Sequence, residues 1–366
     1  MKKYKICKIL LIILAIFLCV AFYELLGICV AYKKQPEVSN TTKKETKNGS
    51  WNECSENTER AVIIEKNPEA LLQRVRLIKN AKKEIILSTF AFQSDESGKL
   101  ILGALHDAAD RGVHIRLLVD GMESWIDMEG NPYFYGLSSH ENVEIKLYNK
   151  ANPLKPWKMM GRMHDKYLIA DGKRYILGGR NTYNYFLGDF PGHKNYDRDV
   201  LVVCDEPEKE NSVNQLLEYF ETIWEQEDSG YFHDNKKLAN RKSVKNAVLE
   251  LQNGYQKYFE ENKERICDTD YTDETFETEK IALVSNPIHT GSKEPVVWYQ
   301  LGELMKNAKN RVKIHTPYII CNDMMYNTWE EIAENVSDFS IMTNSVANNG
   351  NPFGAADYAK NRNRIL

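Results

Sequence analysis

The sequence predicts an α/β protein with a mixed or parallel sheet, a duplicated α/β/α module and one N-terminal transmembrane helix. Three observations support this fold class. Amphipathic helical segments alternate with short apolar strands after residue 60, one helix–strand unit recurs later in the chain, and a long apolar run follows the first lysines. Such alternation is typical of βαβ units, whose helices cover a parallel or mixed sheet.

The N-terminus has the composition of a membrane anchor. Four lysines precede an apolar run, residues 9–32, which is interrupted only by Glu24. About 20 apolar residues span a bilayer, and the lysines before the run favour an N-terminus on the inside. We therefore predict a cytoplasmic segment at residues 1–8, a signal anchor at 9–32 and the remaining body of the chain outside the cytoplasm. The alternative is a cleaved signal peptide, which normally has a shorter apolar region and a small-residue cleavage site.

Composition divides the rest of the chain into four parts. Residues 33–60 are polar and lack periodicity, as linkers do. Residues 61–204 contain the first module, 205–280 are charged helical segments that connect two halves, and 281–366 start a second module. In the first module, EALLQRVRLIKNAKK predicts a helix and EIILSTFAF a strand. A helix over 97–111 and the strand VHIRLLVD follow.

An internal repeat indicates that the module is duplicated. LIKNAKKEIILSTFAF at 77–92 aligns with LMKNAKNRVKIHTPYI at 304–319, and IRLLVDG at 115–121 aligns with FSIMTNS at 339–345. Both copies keep the order helix, strand, second strand. This shared order favours duplication over a chance match of the KNAK tetrapeptide.

One stretch, RMHDKYLIADGKRYILGGRN at 162–181, combines residues suited to phosphate chemistry. The residues on both sides of Asp171-Gly172 alternate as in the arms of a β-hairpin that turns at this pair. Period-two geometry then puts His164 and Lys166 on the same face of the first arm. Taken singly, each residue has an ordinary explanation, such as a solvated lysine, a turn aspartate, glycines at a strand end or a capping Asn181. The joint spacing His-x-Lys-x4-Asp-x6-Gly-Gly-x-Asn favours a phosphate site instead.

This spacing resembles the HKD motif of the phospholipase D superfamily. The segments STFAFQSDESGKLILGALHDAADRGVHIRLLVDG at 88–121, WKMMGRMHDKYLIADGKRYILGGRN at 157–181 and YDRDVLVV at 196–203 resemble bacterial cardiolipin synthases. The resemblance covers about residues 61–366. It implies a phospholipase D-like fold and a phosphatidyl transfer through a phosphohistidine. An alcohol acceptor would give transphosphatidylation, and water would give hydrolysis.

The resemblance also implies a role for each residue of the motif. His164 is expected to be the nucleophile or its acid partner, and Lys166 and Asn181 are expected to bind phosphoryl oxygens. Asp171 would support the geometry and charge balance of the motif, and Gly179 would let the backbone approach the phosphate. We expect no metal or other cofactor, because lysine neutralises the phosphoryl charge and the sequence has no zinc-type cluster of His, Cys and Asp.

Charge and topology suggest the partners. The net charge of -4 and pI near 6.1 argue against a general nucleic-acid binder, which is usually strongly basic. The motif itself lies in a basic stretch, since residues 150–180 hold eight Lys and Arg against two Asp. Together with the anchor, this favours a phospholipid at a membrane surface. The resemblance implies phosphatidylglycerol or cardiolipin.

Members of the family use two such motifs, but this sequence contains one. Among eight histidines, only His164 has a lysine two positions later. The repeat places a second histidine at about position 388, beyond Leu366, so the second module is expected to lack its motif. Three interpretations stay open. The chain is cut off before its second motif, it pairs two single motifs in a homodimer as small nucleases of the family do, or it is a non-catalytic membrane protein that keeps the fold.

Overall fold

The structure is a computed structural model that describes residues 2–49, 59–204, 211–233, 235–345 and 352–365. The chain divides into two compact units. The first consists of Met1–Lys34, Glu53–Leu283 and Ile288–Ser292, and the second of Gln35–Asn52, Val284–Pro287 and Lys293–Leu366.

The first unit is built on a mixed sheet, as the sequence predicts. Its strands in chain order are β1 (Glu59–Ile64), β2 (Glu84–Thr89), β3 (His114–Asp120), β4 (Val143–Tyr148), β5 (Tyr167–Ala170), β6 (Arg174–Gly178), β7 (Asp199–Cys204), β8 (Ser229–Tyr231) and β9 (Phe276–Glu277). Across the sheet, the described strands follow the order β8-β4-β3-β2-β5-β6-β7-β1-β9. Strands β2, β3 and β4 pair in parallel, and the other neighbours pair antiparallel.

Helices cover both faces of this sheet. The chain begins with α1 (Lys2–Ala31) and with α2 (Asn40–Asn48), which belongs to the second unit. The further helices of the first unit are α3 (Asn67–Asn80), α4 (Glu96–Asp110), α5 (Gly121–Asp127), α6 (Pro132–Ser138), α7 (Ser212–Trp224), α8 (Lys242–Glu261) and α9 (Lys263–Cys267). Helices α3, α4, α6, α8 and α9 share one core with the sheet, and α7 lies on the opposite face. Successive residues of β2 alternate between the two cores, with Ile85 and Leu87 in the first and Ile86 in the second. The predicted α/β/α layering is confirmed.

The first predicted elements are present with small differences in their bounds. Helix α4 begins after Asp95, whose side chain accepts a hydrogen bond from the Gly98 N–H, and it is followed by Gly112 at φ +88°. Strand β2 ends at Thr89, three residues earlier than predicted. Beyond it the chain turns towards another segment, because the Ala91 N–H donates to the Asn181 side chain.

The predicted β-hairpin is confirmed. Strands β5 and β6 pair antiparallel, with Ala170 opposite Arg174. The turn residues Asp171 and Gly172 have φ of +55° and +62°, and three residues, 171–173, connect the paired ends, with the Lys173 N–H donating to the Ala170 carbonyl at 3.0 Å. Glycine adopts this conformation freely, and aspartate is among the few other residues that tolerate it.

The N-terminal segment forms helix α1, which is long and apolar enough to cross a membrane. Within residues 33–60, the sequence predicts only a linker, whereas the structure has the nine-residue helix α2. Ser39 caps its N-terminus by accepting from the Thr42 N–H, and Gly49 ends it at φ +74°. These local capping signals explain a helix in a polar segment that lacks hydrophobic periodicity.

The second unit repeats the start of the first. It contains α10 (Val296–Lys306), β10 (Arg311–His315), α11 (Asp323–Asn335), β11 (Asp338–Met342) and α12 (Pro352–Ile365). Strands β10 and β11 pair in parallel, with Arg311 opposite Asp338. In the first unit Glu84 lies opposite His114. The residues that the sequence repeat aligns therefore occupy the same register in both strand pairs.

Candidate active site

The motif lies at the edge of the sheet where β2 and β3 end. Because β5 runs antiparallel to β2, His164 and Lys166, which precede β5, lie at the carboxyl end of β2. Strand β6 returns to the same edge, and the Gly178 N–H donates to the Lys166 carbonyl at 3.1 Å. Ligands of open α/β sheets commonly bind at the carboxyl ends of parallel strands. Topology thus brings both arms of the hairpin to a suitable place for a substrate.

His164 and Lys166 both border the ring of Phe90, just beyond β2. The His164 and Phe90 rings meet edge to face with 4.5 Å between their centroids. The Lys166 ammonium lies 5.2 Å from the Phe90 centroid and donates to the His164 carbonyl at 2.6 Å. Lys166 is 5% exposed, whereas His164 is open to solvent. The two predicted residues are therefore adjacent beside Phe90, with His164 accessible and Lys166 buried.

The surroundings of these two groups change their proton affinities. The pKa of His164 is lowered to about 4, first because the surrounding protein displaces water and then because Lys166 and Arg162 are positively charged. Burial likewise lowers the pKa of Lys166 to about 8, although nearby carboxylates, chiefly Asp165, oppose this shift. At neutral pH the imidazole is therefore uncharged and the lysine is mostly charged. A neutral imidazole has the lone pair that a nucleophile needs.

Gly179 and Asn181 are fixed by neighbouring segments. A Cβ atom at Gly179 would overlap the carboxylate of Asp197, so a larger residue here would require the Asp197 side chain to move. The Asn181 side chain is 7% exposed, and its Oδ1 accepts the Ala91 N–H at 3.2 Å. This bond fixes the orientation of the amide, with its NH₂ group as the donor end. The sequence does not reveal Asp197 as the reason for the second glycine.

Asp171 lies at the opposite end of β5 from His164, on the order of 20 Å away along the extended chain. Its carboxylate accepts hydrogen bonds from the backbone N–H groups of Lys82, Lys83 and Glu84 at 2.7–3.1 Å. These bonds join the hairpin turn to the start of β2. The structure therefore does not bring Asp171 together with His164 and Lys166, and its position is that of a structural group.

A buried carboxylate holds the segment that leads into His164. Asp120 ends β3, and its side chain is 1% exposed. It accepts from the Arg162 guanidinium at 2.6 and 2.9 Å and from the Met163 N–H at 3.0 Å. The Arg162 guanidinium in turn lies 5.0 Å from the Phe90 centroid. Asp120, Arg162 and Phe90 thus surround the predicted nucleophile, although sequence reasoning did not select them.

A second buried ionic group lies beneath the glycine pair. Asp199 contacts Arg74 at 2.9 Å and Arg180 at 3.2 Å, and all three side chains are 5% exposed or less. Arg180 also donates to the Asp197 carbonyl. Burial lowers the pKa of Arg180, and the neighbouring Asp199 opposes this shift. The charged residues at the start of YDRDVLVV, directly before its apolar half, are the sequence signal that indicates this network.

Asp165, between the predicted catalytic residues, faces the other core. The Tyr219 hydroxyl of α7 donates to its carboxylate at 2.7 Å. Burial and the adjacent carboxylate raise the pKa of this tyrosine well above its usual range. Within the described ranges, no group of three or more His, Cys, Asp and Glu side chains could hold a metal ion.

Part of the first unit is similar to a known protein family. Residues 74–224 match the family model described as cardiolipin synthase, PLD-like domain. An uncharacterized protein of Helicobacter pylori strain J99 is 26% identical over 338 residues, which are 84% of this chain and 63% of that protein. Cardiolipin synthase C of Escherichia coli K12 is 29% identical over 171 residues, 43% of this chain and 34% of that protein. The chain thus spans less than two thirds of the length of these relatives.

A solved structure agrees with the fold. Phosphatidylserine synthase of Haemophilus influenzae Rd KW20 superposes with a TM-score of 0.54 at 16% identity, covering 85% of this chain and 67% of that one. The likeness concerns the fold alone. It extends over both units of the chain, whereas the family model covers part of the first. Residues 74–224 are thus similar to the phospholipase D-like domain of cardiolipin synthases.

Proposed function

We propose that the protein is a membrane-anchored phosphodiesterase or phosphatidyltransferase that acts on phospholipids through a phosphohistidine at His164. The main support for this function is that the accessible His164 and the buried Lys166 both border Phe90, with the Lys166 ammonium bonded to the His164 carbonyl. Such a pair provides a nucleophile and a fixed cation for a phosphodiester. Its place at the carboxyl ends of β2 and β3 gives the substrate access from solvent.

The residues present would divide the chemistry as follows. The His164 imidazole attacks phosphorus, so that an N–P bond forms while the P–O bond to the leaving alcohol breaks. Lys166 and the amide NH₂ of Asn181 stabilise the negative phosphoryl oxygens, and a general acid protonates the leaving alkoxide. Water or a second alcohol then attacks phosphorus and gives its proton to the same group, which the first step left as a base. The N–P bond breaks, and His164 is regenerated.

Two features support a phospholipid rather than a soluble substrate. Helix α1 is long and apolar enough to anchor the domain in a bilayer, and the family model is that of cardiolipin synthases. We assign the N-terminus to the cytoplasm because of its lysines. Phosphatidylglycerol is the first substrate to test, since its headgroup carries both a phosphodiester and free alcohols.

The scheme needs a general acid, and its source leads to an alternative form of the function. Only His164 is followed by lysine at the second position. A second copy of the chain could supply the same imidazole across a two-fold axis. In that case the protein acts as a homodimer, on lipid or on another phosphodiester such as nucleic acid.

Trapping of the intermediate tests the function. The full chain in phospholipid vesicles is incubated with phosphatidylglycerol labelled at phosphorus, and the protein is examined for acid-labile label. We expect label on the wild type and on His315→Ala, which removes an exposed histidine of the second unit. His164→Ala should abolish it. Absence of label on the folded wild type, or label on His164→Ala, would contradict the proposal.

A further inference from the structure

Five large apolar side chains are exposed on the two segments that flank the predicted nucleophile. One segment is α5, which follows Asp120, and the other is residues 150–161, which precede Arg162. Their exposed fractions are 67% for Trp125, 73% for Ile126, 78% for Leu154, 46% for Trp157 and 57% for Met160. We refer to these five residues as the apolar rim. Exposed apolar side chains grouped beside a site commonly mark an interaction surface.

We propose that the apolar rim inserts into the lipid–water interface of the bilayer that α1 crosses, so that a phospholipid headgroup reaches His164 without leaving the membrane surface. This inference rests on the proposed function and deepens it by assigning the surface that meets the lipid. The apolar rim would thus contact the outer leaflet of the same membrane.

The two segments of the rim are joined to each other and to the site. Gly121, the first residue of α5, packs so closely on the backbone of Lys150 that an added Cβ would lie 2.7 Å from it. The Asn149 amide donates to the carbonyls of Lys158 and Gly161 at 2.7 and 2.9 Å. Arg162 then connects this loop to Asp120. Insertion of the rim would consequently place the His164 side chain close to the membrane surface.

The rim is also continuous with the membrane-spanning helix. The Tyr23 hydroxyl donates to the Leu154 carbonyl at 3.0 Å. Four residues later, Gly27 faces Pro156, and an added Cβ would approach its side chain to 2.5 Å. From Ile9 to Gly27 a helix rises about 27 Å, close to the roughly 30 Å of a bilayer core. The contacts to residues 154–156 therefore occur at the level where the helix leaves the hydrocarbon.

The composition of the rim suits this depth. Tryptophan is enriched at membrane interfaces, where its ring is buried and its N–H remains hydrated. Lysines 150, 155 and 158 alternate with the apolar residues of the loop. Lys155 is exposed, while Lys158 is paired with Asp228 at 2.6 Å. Basic residues beside an inserted apolar surface favour anionic lipids such as phosphatidylglycerol.

Quenching by brominated lipids tests the contact without any requirement for catalysis. The full chain is placed in lipid nanodiscs that contain phosphatidylglycerol brominated in the upper part of its acyl chains. We expect quenching of tryptophan emission in the wild type and loss of at least half of it in Trp125→Phe/Trp157→Phe. The control Trp329→Phe, which removes a buried tryptophan of the second unit, should keep the quenching. Equal quenching in the wild type and the double variant would overturn the proposal. The same result is expected if a second copy of the chain, and not lipid, covers the rim.

An activity comparison tests the consequence for the substrate. Leu154→Ser/Trp157→Ser should lower activity on phosphatidylglycerol vesicles about tenfold, because insertion becomes less favourable. Activity on a water-soluble phosphodiester should not change. Leu249→Ser, at an exposed leucine of α8, should change neither. Equal losses on both substrates would show a structural effect and contradict the proposal. If neither substrate reacts, the proposed function is contradicted. The quenching experiment still tests whether the rim inserts into lipid.

Discussion

The Arg162 guanidinium donates two hydrogen bonds to the Asp120 carboxylate, at 2.6 and 2.9 Å. Arg162 stands two residues before the predicted nucleophile, His164. Asp120 is fully buried, and Arg162 is 22% exposed. The pair connects the end of β3 to the segment that enters β5. It therefore fixes the backbone from which the His164 side chain projects.

Removal of one partner should be costly. Arg162→Ala leaves the Asp120 charge buried with backbone N–H donors only, and Asp120→Ala leaves the half-buried arginine with the more distant carboxylate of Glu123 at 3.2 Å. We expect each to lower the free energy of unfolding by about 3 kcal/mol and to reduce labelling of His164. Thermal denaturation followed by circular dichroism in detergent measures the loss. Asp273→Ala, at an exposed surface position, is the matched control and should leave the melting temperature unchanged. An unchanged melting temperature in Arg162→Ala would contradict the stabilising role of the Asp120–Arg162 pair.

Asp171 should be required for stability more than for proton transfer. Its carboxylate holds three backbone N–H groups at the start of β2, and its own φ is +55°. Asp171→Ala removes these bonds and disfavours the turn, so we expect a loss of about 2 kcal/mol. Asp171→Asn keeps an acceptor and tolerates the positive φ, and it should lose less than half of that. The urea dependence of unfolding, compared with the rate of labelling, separates the two roles. A catalytic role is indicated if Asp171→Asn is stable but inactive.

The sequence predicts most of the first unit because its signals are local. The hairpin at Asp171-Gly172, the βαβ unit and the repeat follow from turn residues, periodicity and the KNAK tetrapeptide. The repeat even predicts register, since Glu84 and Arg311 occupy equivalent pairing positions. Helix α2 was not predicted, because capping by Ser39 and Gly49 defines it without an apolar face.

The site could be predicted only in part, since its supporting residues come from distant segments. His164 and Lys166 lie in one motif, but Phe90 and Asp120 come from the ends of β2 and β3, and Asp197 lies 16 residues after Asn181. Tertiary pairing of these strands brings them together. Short strands such as β8 and β9, at the sheet edges, lack a sequence signal for the same reason.

The packing of Gly179 against Asp197 predicts a specific coupling. Gly179→Ala introduces a Cβ where the Asp197 carboxylate lies. We expect a loss of about 1–3 kcal/mol in the free energy of unfolding, as for other overpacked sites. Asp197→Ala removes the obstructing carboxylate. The double variant should therefore lose less free energy of unfolding than the two single variants together. A double-mutant cycle by chemical denaturation measures this coupling, and additive losses would show that the two positions are not in contact.

The proton affinities of the two predicted catalytic residues define a pH window. His164, with a pKa of about 4, must be neutral to attack, so activity should fall below about pH 4. Lys166, with a pKa of about 8, must be charged, so activity should fall as pH rises through 8. We expect a plateau between about pH 5 and 7 in the rate of labelling at low substrate. Lys166→Arg keeps its charge at high pH and should lose the alkaline decline even if its rate is lower; an unchanged decline would assign it to another group.

Mixtures of wild type and His164→Ala distinguish a single-chain site from one shared by two copies. If each chain acts alone, activity falls in proportion to the wild-type fraction. If a second copy supplies the general acid, both copies need His164, and activity falls with the square of that fraction. A squared dependence supports the shared site, in which the second copy supplies the same imidazole. The two proteins are mixed in detergent, exchanged and reconstituted before vesicle activity is measured, with mixtures of wild type and His315→Ala as the control. A linear dependence in fully exchanged samples would exclude the shared site and assign the proton donor to the same chain.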